Sequence, residues 1–159
     1  MPNGMKLEGS HVILVPVDFS EHSRSALLWA CEQARGLDAH VVALHVVHDP
    51  ADAPGYYTKA GGKIEPMEEV AEKMMHRFIK ATGKKLGEKK FFKKRLTTKL
   101  VVGIPVSRIL EVAKKVGAEH IVMGSQGRTG LKRLLLGSKA EQVVRMAHVP
   151  VTIVKIKGK

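Results

Sequence analysis

Five short apolar runs, most of them rich in β-branched residues and separated by segments of helical periodicity, leave this sequence few ways to fold. The runs are His11 to Val17, Ala39 to Val47, Leu96 to Val102, His120 to Met123 and Val149 to Val154. Between them, apolar residues recur at helical spacing in four sets: Ala26, Leu27, Ala30, Cys31 and Ala34; Met67, Val70, Ala71, Met74, Phe78 and Ala81; Ile109, Leu110, Ala113 and Val116; Ala140, Val143, Val144 and Ala147. A strand that is apolar without alternation is buried on both faces, which a parallel sheet covered by crossover helices provides. Five strands alternating with four helices therefore predict an α/β layered fold with right-handed crossovers. At 159 residues, one domain spanning 1–159 suffices. It is expected to carry tails over 1–9 and 156–159.

Local punctuation agrees with this division. Ser20 and Ser23 are two N-cap candidates for the first helix, Gly36 is its expected stop, and Pro66 suits the first turn of the second. Gly103-Ile104-Pro105 turns the chain after the third strand, and Gly117 is expected to end the third helix. Pro150 cannot donate to a ladder, which predicts an edge position for the last strand. The apolar character of that strand invites a partner along its edge. From Asp49-Pro50 to Pro66 lie three glycines and three prolines, so 48–65 is expected to be a flexible loop, with no fixed structure for Tyr56 or Tyr57.

Composition excludes some functions. No apolar run is long enough to span a bilayer and the N-terminus has no apolar signal region, so a cytoplasmic location is expected and no membrane partner. The single cysteine, Cys31, cannot form an internal disulfide and lies among apolar helical positions, which predicts structural burial. The net charge is +12, and between Lys80 and Lys99 nine basic residues face one acidic residue, Glu88. Such a face attracts polyanions. With only Phe91 and Phe92 as aromatics in that run, base stacking has little support, and docking of nucleic acid or an acidic protein through Lys80–Lys99 stands as the alternative function.

The chemistry is concentrated between Ile121 and Ser138. A short strand runs into Gly124-Ser125-Gln126-Gly127-Arg128-Thr129-Gly130, and Gly137-Ser138 then opens a helical pattern. Glycines permit positive φ and close backbone approach, and a helix start carries unpaired N–H donors. Ser138 is the expected N-cap. The combination predicts a cradle for an anion, phosphate above all.

The spacing Gly124, two residues, Gly127, nine residues, Gly137-Ser138 resembles the nucleotide-binding signature of the universal stress protein family. Val12 to Ser20, Leu44 to Val47 and Val102 to Pro105 resemble that family at matching intervals, so the likeness covers roughly residues 9 to 156. The resemblance implies a doubly wound, Rossmann-like sheet of order 3-2-1-4-5 with helices on both faces. It also implies a stress-response module that binds ATP, with Mg²⁺ as a companion ion, and hydrolyses it slowly at most. Carried over position by position, Pro16, Val17, Asp18, Val46 and Met123 would line the adenine and ribose. Gly124, Ser125, Gln126, Gly127, Arg128, Thr129, Gly130, Gly137, Ser138, Lys139 and Ala140 would surround the phosphates. The family's last strand pairs in a homodimer, here Val149 to Val154.

No Gly-x-x-x-x-Gly-Lys-Ser/Thr loop is present, and the Ser-Gly-Gly-x-Asp-Ser loop of the related ATP pyrophosphatases is absent after the first strand. No second His or Cys stands at metal-ligand spacing from His45. No catalytic residue and no protein metal site are therefore assigned.

Overall fold

A computed structural model describes residues 11–48, 57, 66–87, 94–127 and 136–156. Its order is β1 (His11–Pro16), α1 (Glu21–Leu37), β2 (Ala39–Val47), α2 (Met67–Leu86), β3 (Leu96–Val102), α3 (Pro105–Val116), β4 (His120–Gly124), α4 (Ser138–Met146) and β5 (Val151–Val154). All four strand pairings are parallel and the sheet order is β3-β2-β1-β4-β5, as the resemblance implied.

β2 shows why helices must cover both faces, since all nine of its residues are buried. Val41 and Ala43 pack with Ile13 and Val15 of β1 against Leu27, Cys31 and Phe78 of α1 and α2. Val42 and Leu44 pack with Leu14 against Ile109 and Ala113 of α3 and Val143 of α4. Odd and even positions thus serve two separate cores, as the period of two in a strand requires. Each fully buried Leu or Val contributes about 1.5–3 kcal/mol.

The periodicity of α1 is borne out residue by residue, with Ala26, Leu27, Ala30, Cys31 and Ala34 all buried. Burial pushes the Cys31 thiol up to about 12, which keeps it protonated and inert. Several expected boundaries and faces shift. Gly36 does not stop α1; the helix runs to Leu37 and ends on Asp38 in the left-handed conformation, φ 50°, whose carboxylate pairs with Arg95 at 2.6 Å. Asp tolerates that conformation better than most residues because of its short polar side chain. In α2 the buried stripe is Val70, Ala71, Met75, Phe78 and Thr82, while Met67 is exposed; Thr82 fits because its hydroxyl donates to the Phe78 carbonyl at 2.8 Å. Val144 of α4 is exposed as well. β5 begins at Val151, leaving Val149 and Pro150 before it, and lies at the sheet edge as Pro150 predicted. Most of the segment 48–65 lies outside the described residues. Tyr57, for which the sequence predicted no fixed structure, is buried against Val47, Val70 and Ala71.

At the end of β4, a Cβ on Gly124 would lie 2.7 Å from the His22 carbonyl carbon and 2.8 Å from its Cβ and oxygen. Glycine is needed there so that the start of α1 can lie against the strand. Gly117, by contrast, has open space around it and needs glycine only for its φ of 66°. Gly124→Ala should therefore cost about 1–3 kcal/mol as an overpacked site with backbone on the opposing side. Gly117→Ala should cost about 1–2 kcal/mol for the left-handed backbone alone. Urea unfolding of both variants checks the order, with Gly124→Ala the less stable of the two.

Candidate functional site

β1 stops at Pro16 while β2 continues to Val47, so the sheet opens a notch beyond the end of β1, between β2 and β4. This is the switch point of a doubly wound sheet, where chains leaving adjacent strands turn to opposite faces. The last ladder bond from β1 is Val17 N–H to the Leu44 carbonyl, 2.7 Å. Val46 follows Leu44 by two residues, so its N–H and C=O point to the same side, past the last paired residue of β1.

The exit of β1 is held by a compact set of polar contacts. Asp18 Oδ1 accepts from the Ser20 amide at 3.1 Å and the Ser20 hydroxyl at 2.5 Å. Ser20 Oγ in turn caps α1 by accepting from the Ser23 amide at 3.1 Å, which settles the N-cap in favour of Ser20. Ser23 is buried, its hydroxyl donating to the Ser20 carbonyl and accepting from the Asp18 amide. Between Asp18 and Ser20, Phe19 adopts φ 68°. A bulky residue in that region costs about 1–3 kcal/mol and persists only where its surroundings hold it. The Phe19 ring lies 4.2 Å from His45 and 5.7 Å from Phe78, centroid to centroid.

His45 is buried at the end of β2 and binds on both sides. Its Nδ1 lies 2.7 Å from the Val17 carbonyl and its Nε2 2.9 Å from the Tyr57 hydroxyl. A carbonyl only accepts, so Nδ1 carries the proton and Nε2 accepts from Tyr57. The tyrosine oxygen accepts from the His48 amide at 3.1 Å. These residues were not assigned from the sequence, because neither the spacing of His45 nor an irregular segment around Tyr57 signals a pairing.

On the β4 side the expected cradle is corrected in detail. Neither Gly124 nor Gly127 is among the described residues with positive φ; what both need is close approach. Gly124 admits α1, whereas a Cβ on Gly127 would stand 2.9 Å from Asp18 Oδ2. Gly127 and Asp18 thus meet across the notch. Ser125 is buried; its amide donates to Val154 at 3.0 Å and its carbonyl accepts from Gly137 at 2.7 Å, so the Ser125 and Gly137 amides serve the fold. Ser138 is not the N-cap. Gly137 occupies that place, no side chain caps the helix, and the first intrahelical bond is Glu141 N–H to Gly137 C=O. The amides of Ser138, Lys139 and Ala140 therefore have no partner within α4.

Asp18 lies against Gly127, and Gly137 against Ser125, Gln126 and Gly127, while Pro16 and Val17 stand at the end of β1, Val46 near the end of β2, Met123 and Gly124 at the end of β4, and Ser138, Lys139 and Ala140 in the first turn of α4. Arg128, Thr129 and Gly130 lie outside the described residues. Ala140 is buried in the core, so only its main chain faces outward chemistry. No group of three His, Cys, Asp or Glu placed to hold a metal occurs among the described residues. No described helix is long and apolar enough to cross a membrane.

The model of the universal stress protein family matches residues 9–155. The chain belongs to the universal stress protein family. It is 37% identical over 143 residues to a universal stress protein of Methanocaldococcus jannaschii, covering 90% of this chain and 81% of that relative. Among solved structures, universal stress protein UspA from Lactobacillus plantarum superposes with a TM-score of 0.62 at 26% identity, over 91% of this chain and 97% of the other. A universal stress protein solved in complex with cAMP superposes with a TM-score of 0.58 at 25% identity, over 92% and 97%.

In this universal stress protein, burial holds the His45 imidazole below its ordinary value. The Val17 hydrogen bond and the Asp18 carboxylate oppose that shift, and Lys139 reinforces it. The unfolded chain therefore takes up a proton first. The stabilisation is complete above the unfolded value of about 6.5 and is lost as pH falls below it. His45→Gln lacks this titration, so its deficit in Tm relative to the unaltered protein should narrow from about pH 7.5 to about pH 5. Thermal unfolding followed by circular dichroism measures that difference.

Proposed function

We propose that this universal stress protein binds an adenine nucleotide, ATP foremost, in the notch between β2 and β4, and acts as a stress-response regulatory or signalling module. The observation that carries the reading is the pairing of an uncapped α4 with the Asp18–Gly127 approach. Three main-chain donors at a positive helix end suit phosphate, and a carboxylate held by Ser20 suits ribose hydroxyls. The main chain of Val46 offers a donor and an acceptor to the edge of adenine, with Pro16, Val17 and Met123 as apolar surroundings. Gly124 to Gly130 would complete the phosphate side, with charge neutralised by Arg128 and Lys139. The relative solved with cAMP supports an adenine ligand at such a fold. Mg²⁺ would be held by the phosphates rather than by a cluster of protein ligands, since the donors facing the notch are amides and one carboxylate.

The reading assigns no catalytic residue, so any hydrolysis is slow. The single chain 1–159 acts as one domain in the cytoplasm and pairs as a homodimer through Val149 to Val154. Exposed Met146 and Ile156 flanking β5 favour such pairing. Docking of a polyanion on Lys80–Lys99 is less favoured, because Arg95 and Lys85 are engaged with Asp38 and Glu21.

Equilibrium dialysis against ATP tests the reading, with micromolar or tighter uptake expected and no uptake by the unaltered protein overturning it. In Gly127→Val the branched side chain drives into Asp18 Oδ2, so affinity should fall by at least about tenfold, the loss of roughly one charge-assisted hydrogen bond. Thermal stability should fall less than in Gly124→Ala, whose opposing atoms are backbone. Affinity for ATP should depend only weakly on salt, unlike the steep dependence of nucleic-acid docking.

A further inference from the structure

We propose that Tyr57 is a positioning residue for the nucleotide, acting through the His45 ring to hold the β1 exit that aims Asp18. The inference rests on the adenine-nucleotide reading above. Tyr57 is far from the glycine-rich turn in sequence, yet it is 5% exposed and anchored on three sides. Its ring packs on Val47, Val70 and Ala71, and its hydroxyl is shared between His45 Nε2 at 2.9 Å and the His48 amide at 3.1 Å. These contacts tie α2 and the end of β2 to one phenol.

The effect on the site passes through His45. With Tyr57 donating to Nε2, the proton is confined to Nδ1, which donates to the Val17 carbonyl at 2.7 Å. That carbonyl precedes Asp18 directly. It is also the acceptor that a continuing β1 would have presented to β2, so the imidazole replaces a ladder bond where the strands part. The same ring supports Phe19 at 4.2 Å, the residue with left-handed backbone immediately after Asp18. His45 thus grips the chain on both sides of the carboxylate.

Removing the hydroxyl takes from the buried Nε2 the Tyr57 hydrogen bond that favours its unprotonated state. The ring then gains by moving its proton to Nε2 or by rotating, and either change releases Val17. A phenylalanine at 57 would keep the packing on Val47, Val70 and Ala71 and remove only the hydrogen bonds. Packing and positioning are therefore separable.

The test compares the unaltered protein with Tyr57→Phe, using ATP affinity by calorimetry and the imidazole nitrogen NMR signature of His45. In the unaltered protein His45 should be protonated on Nδ1 and not on Nε2. Tyr57→Phe should keep its far-ultraviolet circular dichroism, shift His45 to mixed tautomers and bind ATP about three- to tenfold more weakly, the value of one hydrogen bond. A drop in Tm with the imidazole signature and ATP affinity unchanged would assign Tyr57 to packing alone and overturn the proposal. So would Nε2 protonation of His45 in the unaltered protein, a result that stands even if Tyr57→Phe fails to fold. Absence of ATP binding by the unaltered protein removes the ligand this residue would position and overturns both readings, whereas normal binding with an indifferent Tyr57→Phe overturns only this one.

Discussion

All nine residues of β2 are buried, and the need to cover both faces of a strand with no side open to water shapes the rest of the molecule. A parallel ladder meets that need because each crossover returns a helix onto the sheet. The odd residues of β1 and β2 face α1 and α2, and the even ones face α3 and α4. The chain must therefore change faces around β1, and that change leaves a notch where α1 and α4 begin. The site is a by-product of the topology, furnished by a few polar residues.

The furnishing is economical because the same groups serve fold and site. Asp18 orders Ser20, Ser20 caps α1, and the arrangement leaves the carboxylate facing Gly127. Ser125 joins β4 to β5 and to the start of α4 through its main chain. The starts of α2, α3 and α4 all lack a side-chain cap, and of these it is the start of α4 that lies against the Ser125–Gly127 turn. An uncapped helix start has three donors unmatched within the helix, a cost that an anion would offset.

Crowding explains the glycines better than backbone conformation does. Gly124 makes room for His22 at the start of α1, and Gly127 makes room for Asp18. The first is architectural and the second belongs to the candidate site, although both stand in one motif. A motif records that a side chain is excluded but not which neighbour excludes it.

β3 and β5 are only partly buried, but the order of the elements along the chain, their number and the two-sided burial of β2 were legible from the sequence, because a strand's period of two and a helix's period near 3.6 are local properties. The apolar set of α1 matched throughout for that reason. The order of strands in the sheet came only with the family resemblance. Helix ends were read less well: α1 runs past Gly36 and ends on Asp38, which pairs with Arg95 just before the neighbouring β3, and Gly137 in place of Ser138 takes the cap of α4, its amide bonded to Ser125. Tyr57 was not legible either. Its partners, His45 and His48, are named by three-dimensional proximity, and the free energy that buries it comes from Val47 of β2 and Val70 and Ala71 of α2. Local periodicity determined which elements form; only long-range contacts decided which polar atoms meet, since a hydrogen bond is specified by position in space and not by spacing along the chain.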